Sequence, residues 1–173
     1  VGSEMCIRDR FYPLSEQHQI QFKIDAPKEL YWNTDSVYFK KILANLISNA
    51  FKYTEDGGTV RISLHEEENF LVLKVYNTGK GIEEADMQNI FDRYRILGTM
   101  DNDDNRQNTT RNGLGLFICH SLVQSLGGKI DIESEVGQYA EFTVTLPFGI
   151  VEETSDNTID EEIPVSLPSP NTD

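Results

Sequence analysis

The sequence predicts an α/β sandwich, and two observations support this fold class. The first is the stretch KILANLISNAFKYT at Lys41–Thr54, where apolar residues recur at helical spacing and form one broad stripe: Ile42, Leu43, Leu46, Ile47, Ala50 and Phe51. The second is a pair of later segments, TVRISL and FLVLKVYN, in which apolar and polar residues alternate as in strands with one buried face. A helix followed by such strands is the start of an α/β sandwich.

The polar face of the predicted helix is unusual. Asn45, Asn49, Lys52 and Tyr53 recur at i, i+4, i+7 and i+8. A solvated helix face favours Glu and Lys, because Asn is a mediocre helix former. Two asparagines one turn apart therefore indicate a binding role, although capping or chance explains this helix alone equally well.

The remaining elements of the first half follow from local signals. QIQFKID alternates as a strand and ends before Pro27. Asp35 lies shortly before the helix and is a plausible N-cap, because its carboxylate can accept from N–H groups of the first turn. Asp56–Gly58 is a turn signal that ends the helix.

The second half repeats the pattern of helix and strand. A short helix is predicted from Glu83 through Ile90, and the polar stretch Gly98–Arg111 has no periodicity, which indicates a loop. A helix with an apolar stripe from Leu114 to Leu126 then ends at Gly127-Gly128. The strands KIDIES and AEFTVTLP close the domain.

Two glycine-containing segments lie next to these elements. NTGKGI at Asn77–Ile82 follows a strand, where glycines allow close approach to a ligand, although a structural turn explains a lone GxG better. NGLGL at Asn112–Leu116 opens a helix, whose free N–H groups and positive dipole end favour an anion. No Gly-Lys-Ser/Thr follows, which excludes a phosphate loop. The glycines are also misplaced for a dinucleotide-binding turn.

Composition limits the class of protein. The 173 residues are 38% hydrophobic and 25% charged, which fits a globular domain with polar extremities. The net charge of −14 argues against a nucleic-acid surface or an anionic membrane. Two cysteines provide no disulfide framework and no metal-ligand spacing, which suits a reducing compartment. No apolar run approaches the roughly 20 residues that span a bilayer.

The two ends of the chain differ from its centre. Residues 1–10, VGSEMCIRDR, match the in-frame translation of a transposon-end sequencing adapter, so we expect them to be non-native and the natural N-terminal portion to be missing. Residues 148–173 carry an acidic, proline-containing composition that predicts a disordered tail or linker. The expected domain is therefore residues 11–147.

Four motifs in order give a family resemblance. NxxxNAxKYT, NTGxGI, IFDRYR and NGLGL resemble the N, G1, F and G2 boxes of the ATP-binding catalytic domain of sensor histidine kinases, over about Phe11–Pro147. The segments IFDRYRIL and TRNGLGLFICHSLV are most similar to those of hybrid two-component sensors of the Bacteroidetes type. The resemblance implies a two-layer sandwich of a mixed, largely antiparallel sheet backed by about three helices, the Bergerat fold. It also implies ATP and Mg²⁺ as cofactors.

The resemblance assigns roles to the polar face of the helix. Asn49 is similar in position to a Mg²⁺ ligand that shares the metal with the triphosphate, a hard oxygen donor for a hard cation. Asn45 would face the same phosphates. Lys52 would offer a positive charge to them, and Tyr53 would line the nucleotide pocket.

The G1 box and the last strand would hold the base. Gly79 and Gly81 would leave room for the adenine beside Ile82, and Thr143 would help to hold a base-bound water. The family's usual Asp, which accepts from the adenine amine, is Asn77 here. Its carboxamide oxygen can still accept, although a neutral acceptor is weaker than a carboxylate.

The G2 and F boxes would contact the phosphates. The resemblance implicates the backbone of Gly113 and Gly115, together with their neighbours Arg111, Asn112, Leu114 and Leu116. Arg111 replaces a glycine and Asn112 replaces a Ser or Thr, and both are compatible with phosphate contact. Arg93 and Arg95 are candidates for phosphate contacts or for docking a partner helix, with a solvated face as an equal alternative.

Position 45 bears on the reaction type. Related gyrase-type and chaperone-type ATPases carry a water-activating Glu there, whereas the Asn45 amide has no basic lone pair at neutral pH. That favours phosphoryl transfer to an imidazole, which needs orientation more than deprotonation. His18, His65 and His120 all lack the family's phosphoacceptor motif. We therefore expect surface or packing roles for them and no autophosphorylation of this chain alone.

The implied partners lie outside this chain. The resemblance predicts an upstream dimerisation domain carrying the phosphoacceptor histidine, a response-regulator receiver domain, and a homodimeric parent protein. It places this domain in the cytoplasm, with the parent anchored in the inner membrane. Two alternatives stay open: a nucleotide-binding pseudokinase or docking module, and a free-standing anti-sigma-type serine kinase of the same fold.

Overall fold

Five strands form one sheet in a computed structural model of the chain, which describes residues 3–28, 30–92 and 114–147. The strands are β1 (Gln21–Asp25), β2 (Thr59–Glu67), β3 (Phe70–Thr78), β4 (Lys129–Glu135) and β5 (Tyr139–Pro147). Their order is β1-β2-β3-β5-β4. β1 and β2 pair in parallel and the three other pairs are antiparallel, so the sheet is mixed and largely antiparallel, as predicted.

Within the described part of the chain, four helices accompany the sheet: α1 (Ser3–Gln17), α2 (Ser36–Tyr53), α3 (Glu84–Met87) and α4 (Gly115–Ser125). The predicted start of α2 is confirmed, because the Asp35 carboxylate accepts from the N–H groups of Val37 at 2.8 Å and Tyr38 at 3.0 Å. Gly127 follows α4 with a φ of +71°, a left-handed conformation that terminates the helix as predicted.

Two helices differ from expectation. α1 was not predicted and contains Pro13; it packs through Phe11, whose ring stacks on Phe51 with the centroids 5.6 Å apart. α3 is shorter than the predicted Glu83–Ile90, because the chain after Met87 continues in tight turns, with the Asn89 N–H donating to the Asp86 carbonyl at 3.1 Å.

Neither end of the chain is tested by the structure. α1 begins within residues 1–10, and the adapter interpretation of that segment stays a prediction. Residues 148–173 lie outside the described residues. Among the described residues, no helix is both long and apolar enough to cross a membrane.

The core lies between the helices and one face of the sheet. All six residues of the predicted α2 stripe are buried. They meet the inward-facing residues of the strands, of which the central ones are Val60, Ile62, Leu71, Leu73, Val75, Phe142, Val144 and Leu146. The opposite, open face carries surface pairs such as Tyr76 stacked on Tyr139 and Lys74 at 3.5 Å from Glu141.

Candidate functional site

The polar face of α2 is the starting point of the site. Asn45, Asn49, Lys52 and Tyr53 are all partly exposed, while the apolar stripe on the other side of the helix is buried. The structure therefore brings these four predicted residues together on one helix face. This arrangement follows from the sequence, because two faces of different chemistry repeat at the helical period.

The first turn of α4 lies against this polar face. A Cβ atom added to Gly115, the first residue of α4, would stand 3.7 Å from the Asn45 Oδ1 atom. Leu114 occupies the N-cap position and makes no side-chain capping hydrogen bond. Leu116 packs against the core, so residues 114–116 can offer a ligand their backbone more readily than their side chains.

Several predicted phosphate contacts cannot be placed. Arg111, Asn112 and Gly113 of the G2 box, and Arg93 and Arg95 of the F box, lie outside the described residues. Their assigned roles stay predictions.

The C-terminal end of the α2 polar face combines a cation with an aromatic ring. The Lys52 Nζ atom lies 5.0 Å from the centroid of the Tyr53 ring, a cation–π distance. This contact keeps a positive charge beside the ring at the end of the helix. The pair can therefore offer both an ammonium and an aromatic surface to one ligand.

Asn77 ends the inward-facing side of β3. It is 5% exposed and follows the buried residues Leu73 and Val75 on the same face of the strand. Its Nδ2 atom donates to the carbonyl of Thr78 at 3.2 Å. The amide nitrogen is therefore directed at the backbone, and the Oδ1 atom is left as the acceptor that Asn77 presents elsewhere.

The two glycines of the turn have contacts that differ from the prediction. A Cβ atom on Gly79 would clash with the carbonyl oxygen of Tyr53, and one on Gly81 would clash with the carbonyl oxygen of Glu135. Gly81 also has a φ of +67°, which favours glycine. The missing side chains therefore let the turn approach the backbone of α2 and of β4, and the room expected for a base is occupied by protein at both positions.

A serine supports the same turn. Ile82 is buried, and its N–H donates to the Ser134 hydroxyl at 2.8 Å, which in turn donates to the Tyr139 carbonyl at 2.6 Å. Sequence reasoning missed this role of Ser134. The sequence does contain a signal for it: Ser134 follows Ile130 and Ile132 at alternate positions of KIDIES, where the alternation predicts an apolar residue.

The sequence model of the family "Histidine kinase-, DNA gyrase B-, and HSP90-like ATPase" matches residues 34–150. This range includes every site residue named above. The chain belongs to this ATPase family. It is therefore an ATP-binding domain, and four of the predicted site residues, Asn45, Asn49, Lys52 and Tyr53, share the polar face of α2.

A sensor protein is similar to this ATPase domain in sequence, and the catalytic domain of a histidine kinase is similar to it in fold. The sensor protein SrrB of Staphylococcus aureus is 36% identical over 120 residues, which are 69% of this chain and 20% of SrrB. The catalytic domain of histidine kinase ThkA superposes with a TM-score of 0.68 at 26% identity, covering 82% of this chain and 88% of that one. The chain thus spans about a fifth of the curated relatives it matches, and the predicted catalytic-domain fold is confirmed.

A second similar structure contains a partner protein. It is histidine kinase ThkA in complex with response regulator protein TrrA, with a TM-score of 0.65 and 23% identity, covering 83% of this chain and 38% of that one. At this identity the likeness concerns the fold alone.

Thr143 does not belong to the site of this ATPase domain. It pairs with Lys74 and Asp131 on the open face of the sheet, whereas its neighbours Phe142 and Val144 are buried on the helix side. The prediction that Thr143 holds a base-bound water is therefore wrong in placement. The alternation of AEFTVTLP already puts Thr143 on the face opposite to Phe142.

The three histidines of the ATPase domain make contacts of their own. His18 Nδ1 lies 3.0 Å from Asp56 Oδ1, and His65 Nε2 lies 3.7 Å from Glu67 Oε2. The His120 ring stacks on Phe91 with the centroids 4.8 Å apart. These contacts agree with the predicted surface or packing roles.

A thiol is another type of nucleophile, and the Cys119 thiol lies in the core. Cys119 of α4 is fully buried, and desolvation raises the pKa of its thiol to about 12. A thiol of this kind stays protonated at neutral pH and is chemically inert. Within residues 3–28, 30–92 and 114–147, no cluster of three or more His, Cys, Asp or Glu side chains could hold a metal.

Proposed function

We propose that this chain is the Mg·ATP-binding catalytic domain of a sensor histidine kinase, which donates the γ-phosphate of ATP to a histidine on another domain. The observation that supports this most is the arrangement of α2 and α4. Asn45 and Asn49 lie one turn apart on a partly exposed face, and the Asn45 amide oxygen lies beside the first turn of α4. Amide oxygens opposite a helix N-terminus suit a metal-bound phosphate chain.

The donor set fits a shared magnesium ion. Mg²⁺ prefers oxygen ligands and is usually bound by one or two protein oxygens together with substrate phosphates. Asn49 offers one such oxygen, and the described residues hold no acidic cluster that would bind the ion by itself. When bound, Mg²⁺ would neutralise charge on the phosphates. Lys52 would add a positive charge at the end of the same face.

The base end of the site would be formed by Asn77, Tyr53 and Ile82. Asn77 presents its amide oxygen, because its nitrogen is directed at the Thr78 carbonyl. An acceptor at this position suits the exocyclic amine of adenine. Tyr53 supplies an aromatic surface, and Gly79 joins the two, since it packs against the Tyr53 carbonyl.

The amide of Asn45 favours phosphoryl transfer from ATP over hydrolysis of ATP. An amide cannot remove a proton from water, so a water near the phosphates would not be activated by this side chain. An imidazole nucleophile already has its lone pair and needs only to be oriented. The described histidines are engaged in other contacts, and we expect the acceptor to come from a separate domain.

The whole protein would be a two-component sensor. We propose a dimerisation domain with the phosphoacceptor histidine, a homodimeric parent, and a response-regulator receiver as the partner. The sensor name of SrrB and the complex of ThkA with TrrA support this assignment by similarity. In such a sensor the present domain would lie in the cytoplasm of a membrane-anchored parent. The neutral residue Asn77 favours, as a second candidate, a docking module with weak nucleotide binding.

The decisive experiment measures ADP binding by calorimetry, with Mg²⁺ and with EDTA. We expect the parent chain to bind Mg·ADP with a dissociation constant in the micromolar range or weaker, which is about −8 kcal/mol or less favourable. Asn49→Ala should lose most of the Mg²⁺-dependent part of the affinity and little of the remainder.

Ser48→Ala is the matched control, because Ser48 is exposed on the same helix. It should bind like the parent in both conditions. An equal loss for Asn49→Ala with and without Mg²⁺ would reject Asn49 as a metal ligand. A parent chain that binds no adenine nucleotide would overturn the proposed function.

A further inference from the structure

Asn77 is a neutral carboxamide in an apolar setting. It is 5% exposed, and its cross-strand partners are Val60 on β2 and Ala140 on β5, neither of which has a polar side chain. The hydrogen bond that its amide makes within the described residues is the one from Nδ2 to the Thr78 carbonyl, at 3.2 Å. One local bond therefore sets which end of the amide faces away from the backbone.

The two ends of a carboxamide differ in what they recognise. The oxygen accepts a hydrogen bond and the nitrogen donates one, whereas a carboxylate can only accept. A 6-aminopurine such as adenine offers a donor at position 6, and a 6-oxopurine such as hypoxanthine offers an acceptor there. A carboxylate must repel the oxo group, but a carboxamide can rotate and donate to it.

We propose that Asn77 makes the base end of this site permissive, so that it accepts 6-oxopurine nucleotides as well as adenine nucleotides. This inference rests on the proposed function, because it requires Asn77 to face the base. Rotation needs little extra room, because the oxygen and the nitrogen of a carboxamide exchange places within nearly the same volume, and the nearby Gly79 carries no side chain.

The orientation seen in the structure sets the direction of the remaining preference. Rotation gives up the bond to Thr78 and turns the Asn77 oxygen towards that carbonyl. Adenine nucleotides should therefore bind more tightly, by about the equivalent of one neutral hydrogen bond, or roughly tenfold. A carboxylate at this position should widen the preference to roughly a hundredfold or more, because its hydrogen bonds are charge-assisted and its charge repels the oxo group.

The test compares ADP with inosine 5′-diphosphate by calorimetry on the parent chain and on Asn77→Asp. Asn69→Asp is the matched control, since it adds the same charge in the exposed turn at the other end of β3. We expect the unsubstituted chain and Asn69→Asp to prefer ADP over inosine 5′-diphosphate by about tenfold or less. In Asn77→Asp it should rise to roughly a hundredfold.

The preference measured on the unsubstituted chain can overturn the proposal by itself, whether or not Asn77→Asp folds. A preference for ADP above about a hundredfold in the parent would show that the amide does not rotate, and an unchanged preference in a folded Asn77→Asp would show that Asn77 does not contact the base. Both results leave ADP binding, and with it the proposed function, intact. If the unsubstituted chain bound neither nucleotide, both this proposal and the proposed function would be overturned.

Discussion

The two faces of α2 differ in chemistry although they belong to one helix. On the sheet side, Leu46 and Ile47 are 1% and 0% exposed and make part of the core. On the other side, Asn45 and Asn49 are partly exposed, and Asn45 lies beside the first turn of α4. Under the proposed function, one face of this helix stabilises the fold and the other binds the nucleotide, so that substitutions on each face should affect one property and spare the other.

The largest effect on stability is expected from the buried face. Leu46→Ala removes a side chain that is 1% exposed, and a cavity of this kind costs about 2–5 kcal/mol of unfolding free energy. Urea unfolding measures the loss. Leu14→Ala is the control, because Leu14 is 39% exposed and should lose less than about 1 kcal/mol. Similar losses for the two variants would contradict the assignment of this face to the core.

A smaller effect is expected where the helix meets the glycine turn. Gly79→Ala should cost about 2 kcal/mol, because the new Cβ clashes with the Tyr53 carbonyl. Gly137→Ala is the control: its φ is +78°, but among the described residues, its chain neighbours aside, no atom lies within 4 Å of the added Cβ. It should cost only the conformational strain, about 1 kcal/mol. Thermal or urea unfolding separates the two, and equal costs would mean that the contact with Tyr53 is unimportant.

The smallest effect on stability is expected from the polar face. Asn49→Ala should change the unfolding free energy by no more than about 0.5 kcal/mol, because the side chain is partly exposed and Ala is the better helix former. The same variant should lose Mg²⁺-dependent ADP binding. A drop in stability of several kcal/mol would instead identify Asn49 as a structural residue and break the contrast between the two faces.

Features with a local period could be predicted from the sequence. The five strands and the buried stripe of α2 follow from periods of 2.0 and 3.6 residues. The Asp35 cap and the Gly127 stop follow from backbone chemistry at helix ends. The helical spacing also predicts that Asn45 and Asn49 share one face, and the family resemblance adds their expected roles at the phosphates.

Features that depend on distant backbone could not be predicted. Gly79 and Gly81 meet carbonyls of α2 and β4, and no local pattern shows which atoms a turn will approach. α1 has weak signals, since a proline lies inside it and its packing depends on the distant ring of Phe51. Thr143 is different. Strand alternation predicts its position on the open face of the sheet, but the family analogy assigned it to the base instead.

The parallel pairing of β1 with β2 has a consequence for the kinetics of folding. The register runs from Gln21 opposite Thr59 to Asp25 opposite Ser63, and the crossover connection that parallel strands need contains α2. Contacts between residues this far apart in sequence form late and slow the folding reaction. The helix that carries Asn45 and Asn49 is therefore also the connection between the edge strand β1 and its neighbour β2.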